Sequence, residues 1–264
     1  MSSTILWQRE TSGYVETEIL DGTLWVTCYA DEEPPPPAER VTDGLQVLYT
    51  FEEGSGGTVH DVSEVGQPLD LVAETEAAIS WLVGGGLAVN SSTILMSAGA
   101  ASKVIAAVME SNEVTVEAWI KPLSETQTGP ARIVALSSDY HHRNFHLAQS
   151  GEIYDLRLRT TETTDNGRPS ITTPLGVVHS ELTQVVYARV PSGRALVYVD
   201  GEVVAEQTVG GSLANWDEGH PLVLANELAG NRAWLGEFHL IAFYSRALGP
   251  AEVVQNHEAG VHRQ

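Results

Sequence analysis

The chain has 264 residues, 35 acidic against 14 basic, for a formal net charge of −21 at pH 7. A field of that sign repels phosphate backbones and anionic lipids, which argues against nucleic-acid and membrane-surface roles and leaves neutral glycans, cations or basic protein partners. With 42% hydrophobic and 19% charged residues the chain can build a core, and its single cysteine, Cys28, excludes an internal disulfide framework. Met1 to Glu10 carries Arg9 and Glu10 and no apolar signal-peptide region. No stretch approaches the roughly 18 consecutive apolar residues of a membrane helix. The expectation is a soluble product, cytoplasmic or released as part of a larger particle.

In chain order, residues 1–29 come first. "YVETEIL" and "TLWVTCYA" are two β-rich runs joined by Asp21-Gly22, a strong hairpin signal. An isolated two-stranded hairpin is marginal in water. This arm therefore covers an edge of its own chain or pairs with a neighbouring one, which would make residues 1–40 a route to a homo-oligomer or larger assembly. Residues 30–42 read as an acidic linker, because Pro34 to Pro37 cannot join a sheet ladder and favour an extended segment.

Residues 43–264 then alternate short strands with turns containing Gly, Asn, Asp or Pro. "LQVLYTFEE", "VTVEAWIKP", "ARIVALSS", "NFHLAQ", "IYDLRLRTT", "TQVVYARV" and "LGEFHLIAFYS" are examples. Eight or more such strands predict an all-β fold, an antiparallel two-sheet β-sandwich. Two short helices are expected. Ala100 to Glu110 places Val104, Ile105 and Val108 at helical spacing, and Pro250 suits a first helical position after Leu248. Glu117 and Trp119 fall on one strand face. In the last strand, alternation puts Phe238, Leu240, Ala242 and Tyr244 on one face and His239, Ile241 and Phe243 on the other. His239 is expected to be hydrogen-bonded and partly buried.

Four phrases carry a resemblance: "LYTFEEGSGGTVHDVS", "VTVEAWIKP", "LVYVDGEVVA" and "WLGEFHLIAFYSRALGPAEV", in that order. They resemble the laminin-G-like, concanavalin-A-like lectin/glucanase superfamily over about residues 43–261. "GPARIVALSSD" and "RNFHLAQSGE" resemble a bacterial branch of it. The resemblance implies a jelly-roll sandwich that binds glycans or proteins, often with calcium, or serves as an accessory domain. Many relatives carry an acid where this chain has His239, a nitrogen donor poorly suited to calcium. Asp61 matches an acidic family position, and Asp43 and Glu52 complete a calcium candidate; no cofactor is otherwise required.

Glycan recognition needs an aromatic face and planar polar groups that fix hydroxyls. Three loops offer them: Tyr140 with His141 and His142; Asp165 with Asn166 and Arg168; Trp216 with Asp217. These can act as one site only if the loops share an end of the sandwich. In "NELAGNRAW" a structural network joining Arg143, Glu227 and Arg232 competes with a ligand site. His141, His142, His146 and Asp139 lack a strong zinc spacing, so a polar loop tip is expected there.

Some related jelly rolls are glycoside hydrolases with three carboxylates on one strand. Glu16, Glu18 and Asp21 only loosely match that pattern, and the third falls in a turn. The functional expectation is a non-catalytic binding or accessory module recognising glycan or protein through rim loops. A structural subunit docked through the arm is the first alternative, and a glycoside hydrolase the second.

Overall fold

The computed structural model describes residues 38–261 fully and residues 13–20 and 23–30 in their backbone. The chain divides into two compact units, Met1–Pro37 and Ala38–Gln264. In the first, β1 (Gly13–Leu20) and β2 (Thr23–Ala30) form an antiparallel hairpin with Leu20 opposite Thr23. That register leaves the two-residue link expected of Asp21-Gly22. Asp21, the side chains of Glu16 and Glu18, and the four prolines lie outside the described residues.

The second unit begins with β3 (Leu45–Tyr49), β4 (Thr58–Val59), β5 (Leu71–Ala73), β6 (Ile79–Trp81), β7 (Leu87–Val89) and β8 (Leu95–Ala100). Helix α1 (Ser102–Ser111) precedes β9 (Val114–Pro122), β10 (Ala131–Ser137), β11 (Arg143–Ser150), β12 (Ile153–Leu158) and β13 (Ile171–Thr172). The chain continues through β14 (Thr183–Arg189), β15 (Arg194–Val199), β16 (Glu202–Thr208), β17 (Pro221–Leu224), β18 (Gly236–Tyr244) and α2 (Pro250–Ala259).

Two antiparallel sheets result. One runs β13-β12-β11-β10-β17-β8-β5-β4, the other β16-β15-β14-β9-β18-β7-β6, with β3 paired to β18. Their facing sides bury the main core, where alternate strand residues interdigitate. Phe51 stacks on Phe238 at 5.6 Å, and Phe145 meets Tyr187 at 5.4 Å and Phe243 edge-on at 6.2 Å. This is the expected jelly-roll sandwich, and both helices fall where the spacing placed them. Helix α1 buries Val104, Ile105 and Val108 and ends on Asn112 in the left-handed region.

The outer face of the second sheet is covered by α2. Leu240, Ala242 and Tyr244 pack there with Trp119, Tyr198, Leu248 and Val253. Glu117 is fully buried on this face, and four donors satisfy it. Trp119 Nε1 and Gln184 Nε2 each donate to Oε1 at 2.9 Å; Arg40 and Asn256 donate to Oε2 at 2.7 and 2.8 Å. Arg40 also reaches the carbonyl of Gly260, and the Val41 N–H donates to Asn256 Oδ1 at 2.8 Å. Residues 38–41, read from sequence as linker, thus belong to the second unit.

The last strand departs from simple alternation. A bulge between Phe238 and Leu240 shifts its register against β9, so Phe238 joins Ile241 and Phe243 in the main core instead of sharing a face with Leu240. His239 beside the bulge is partly buried, and its Nε2 lies 3.1 Å from Glu237 Oε2. Its ring rests on Gly86 (φ +111°), where a Cβ would come within 2.8 Å of Cε1. Only glycine fits that approach and that backbone angle.

Candidate functional site

Asp43, Glu52 and Asp61 do not form the calcium set expected of them. Asp43 is exposed and pairs with Arg246 at 2.8 Å. Glu52 is exposed beside a shallow cavity of about 340 Å³ formed with Phe51, Leu82, Gly84 and Gly85. Asp61 is buried with its oxygens occupied: Oδ1 accepts the N–H of Leu48 and Ser63, and Oδ2 accepts Leu69 N–H and the Lys103 ammonium. Burial pushes its pKa up, but Lys103, Ser63 and the backbone donors outweigh it and hold the carboxyl below its ordinary value. A lysine fills the place a cation would take. Among the described residues no three His, Cys, Asp or Glu side chains converge as a metal site.

The three glycan-candidate loops do converge. Strand directions in an antiparallel sandwich bring the connections after β10, β12 and β16 to one end, and hydrogen bonds then lock them. Asn144 clamps the third loop through its backbone: Nδ2 donates to Asp217 O and Asp217 N–H donates to Oδ1, both at 2.8 Å. The second loop is held by Arg143 N–H donating to Asp165 O at 3.0 Å and by an Arg159–Asp165 ion pair at 2.9 Å. The first is closed by Ser138 N–H on His142 O at 3.1 Å and by the Arg143 guanidinium on Tyr140 O.

Tyr140 is 42% exposed and its ring lies 4.1 Å, centroid to centroid, from that of His141. Asp139 organises this tip. Its Oδ1 accepts the N–H of His141 at 2.6 Å and of His142 at 2.9 Å, and its Oδ2 lies 2.8 Å from His142 Nδ1. Slight burial raises the Asp139 pKa, but His142 and the two N–H groups prevail and lower it to about 2. Arg168 is exposed, Asn166 Oδ1 accepts from Arg157 at 2.9 Å, and Asp217 Oδ1 accepts Gly219 N–H at 2.9 Å. Trp216 corrects the sequence reading. It is 3% exposed, packs in the core and donates Nε1 to Arg159 O at 2.8 Å, so it has no face for a sugar.

Beneath the loops, the outer face of the first sheet holds a buried polar network that sequence reasoning saw only in part. Glu227 pairs with Arg132 at 3.1 Å and accepts Ser137 Oγ at 2.6 Å; Arg143 stands farther away at 3.9 Å. Arg232, expected in this network, contributes its backbone N–H to Asn226 Oδ1 instead. Asp155 takes both Arg157 Nε and NH2, at 3.1 and 3.0 Å, and His146 Nε2 at 3.2 Å. Burial and the nearby Arg132 charge push the His146 pKa well below its ordinary value, so the ring is neutral. Its Nδ1 then accepts from Arg143 and its Nε2–H donates to Asp155. Burial, with Arg132 beside it, lowers the Arg143 pKa to about 9. The missed signal was polar residues at alternate positions, Asn144 and His146 in "NFHLAQ" and Asp155 and Arg157 in "YDLRL", which mark the outward side of β11 and β12.

Residues 97–254 match the family model for the concanavalin A-like lectin/glucanases superfamily, a laminin-G type. The chain belongs to this superfamily. No curated protein matches the sequence. Among solved structures, the binding domain of botulinum neurotoxin serotype D/C superposes with a TM-score of 0.61 at 9% identity, covering 83% of this chain and 52% of that one. The receptor-binding domain of botulinum neurotoxin type G gives 0.56 at 9%, covering 82% and 51%. The sialidase of Trypanosoma rangeli, in complex with the inhibitor DANA, gives 0.58 at 16%, covering 80% and 32%. This chain spans about half the length of those neurotoxin chains. At these identities the likeness establishes the fold alone. Among the described residues no helix is long and apolar enough to cross a membrane.

Proposed function

We propose that the chain is a non-catalytic binding module that recognises a glycan or protein partner through the loop end of its sandwich. The observation that carries this reading is the locking of three loops around Asn144, Arg143 and Arg159 while Tyr140 and His141 stay exposed. Preorganised loops with an aromatic face suit recognition, because little ordering entropy remains to be lost. The related solved structures include receptor-binding domains, which agrees with this reading.

A glycan array probed with the full chain, with and without calcium, tests the glycan form. Binding reduced about tenfold or more by Tyr140→Ala supports the loop end as the site; no binding in either condition removes the glycan form. A second reading is a structural subunit, favoured by β1 and β2 forming a sheet of their own, since a lone hairpin is marginal. Light scattering on the full chain and on residues 38–264 tests it: a monomer at high concentration in both cases removes self-assembly.

A further inference from the structure

We propose that a groove beside α2, on the outer face of the second sheet, docks a basic segment of a protein partner and seats the stem of its lysine or arginine. This surface shares no residue with the loop end and stands independently of the reading above. Its floor follows from the period of two in β3. Val47 and Tyr49 turn into the main core, while Leu48 packs on the other side with Leu45 and Leu240, in the cluster that α2 covers. That cover is incomplete. A cavity of about 480 Å³ remains over Leu45, Leu48 and Leu240, and no residue of α2 lines it.

Glu39, Glu64 and Thr50 also line the cavity. Both glutamates are exposed. Thr50 is 6% exposed, yet among the described residues its hydroxyl takes no protein partner, and neither does the Glu39 carboxylate. The Thr50 oxygen is not among the buried atoms closed to solvent, so a ligand in the cavity can reach it. The neighbouring cations are already committed. Arg40 serves Glu117 and the Gly260 carbonyl, and Lys103 serves Asp61 and the Val65 carbonyl.

An anion would therefore meet two glutamates and a net charge of −21 without a free counter-ion. A purely apolar group would suit the leucines and leave Thr50 and Glu39 unmet. Lysine or arginine suits both, because the aliphatic stem lies along apolar surface while the head donates to carboxylate and hydroxyl oxygens. The volume is that of a drug-sized ligand site, which leaves room for the residues flanking that side chain. A peptide segment uses that room; a small free amine does not.

The ¹⁵N-labelled full chain is titrated at low salt with acetyl-Leu-Lys-Leu-amide and its arginine analogue. Counterparts carry norleucine or glutamate at the centre, and n-pentylamine stands for a free amine. A basic peptide is expected to move the amide resonances of Leu45, Leu48, Thr50 and Leu240 saturably, and to bind about tenfold tighter than either counterpart. Glu39→Gln and Thr50→Val should each weaken it about threefold and leave the norleucine peptide unchanged. Equal binding of the norleucine or glutamate peptide overturns the basic side chain. Equal binding of pentylamine gives the groove to free amines and overturns the protein partner. Movement of the same four amides on concentrating the chain alone gives the groove to a second copy, which also overturns it. No movement at these residues with either basic peptide at millimolar concentration overturns the groove itself. Those shifts are read on the unsubstituted chain, so they decide the matter even if a variant misfolds.

Discussion

The outer faces of the two sheets both bury charge, and they do so differently. Under α2, Glu117 takes four donors onto two oxygens, with one arginine as counter-ion. On the other sheet, Arg132, Arg143 and Arg157 face only Glu227 and Asp155, with His146 neutral between them. Polar atoms without protein partners occur on both sides: Gln184 Oε1, the Tyr198 hydroxyl and His257 Nδ1 under α2, and Arg143 Nε, Arg159 Nε, Asn215 Oδ1 and His220 Nε2 toward the loops. A matched pair closed over by a helix specifies packing. Three arginines sharing two carboxylates beneath exposed loops leave the charge of the other face unmatched pair for pair.

The largest expected effect tests the matched side. Glu117→Ala leaves Arg40 without its carboxylate, and breaking a buried pair in this way costs about 3–5 kcal/mol. A shift in the urea midpoint equivalent to under about 1 kcal/mol would show that Arg40 simply re-solvates.

Next comes Asn144→Ala, which removes both bonds to Asp217. The expected loss is about 1–3 kcal/mol, with faster amide exchange in residues 214–219. Unchanged exchange there would dissolve the idea of a locked loop end.

Acid then probes the network. Because the folded His146 pKa is depressed, the unfolded chain takes up a proton near pH 6.5 while the native ring stays neutral. Stability from this residue is present above that pH and falls below it, by up to about 1.4 kcal/mol per pH unit. Asp155, also depressed, adds a further loss as pH falls below about 4. His146→Gln should flatten the stability profile between pH 6.5 and 5; an unchanged slope would assign the effect elsewhere.

The smallest expected effect is none. Millimolar calcium should leave the amide resonances of Leu48, Ser63 and Leu69 in place, because Lys103 and those N–H groups already occupy Asp61. Movement of those three peaks would restore a metal at that carboxylate.

Much of the fold was legible because strand period and turn chemistry are local. The pairing of β1 with β2, the buried stripe of α1 and the start of α2 at Pro250 each depend on a few neighbouring residues. What stayed hidden depends on partners far apart in sequence. Asn144 meets Asp217 across 73 positions, and Lys103 meets Asp61 across 42. The bulge at His239 was equally invisible, since one extra residue reverses alternation without any compositional mark. Trp216 misled because an aromatic in a polar loop reads as exposed until its indole partner, the Arg159 carbonyl, is known.

The Asn144 clamp has an evolutionary consequence. Both of its bonds go to the main chain of residue 217, so the clamp reads where that residue is and accepts any side chain there except proline, which has no N–H to donate. Replacing Asp217 leaves the anchor chemically intact. Selection can therefore rewrite what this loop displays without first redesigning how it is held.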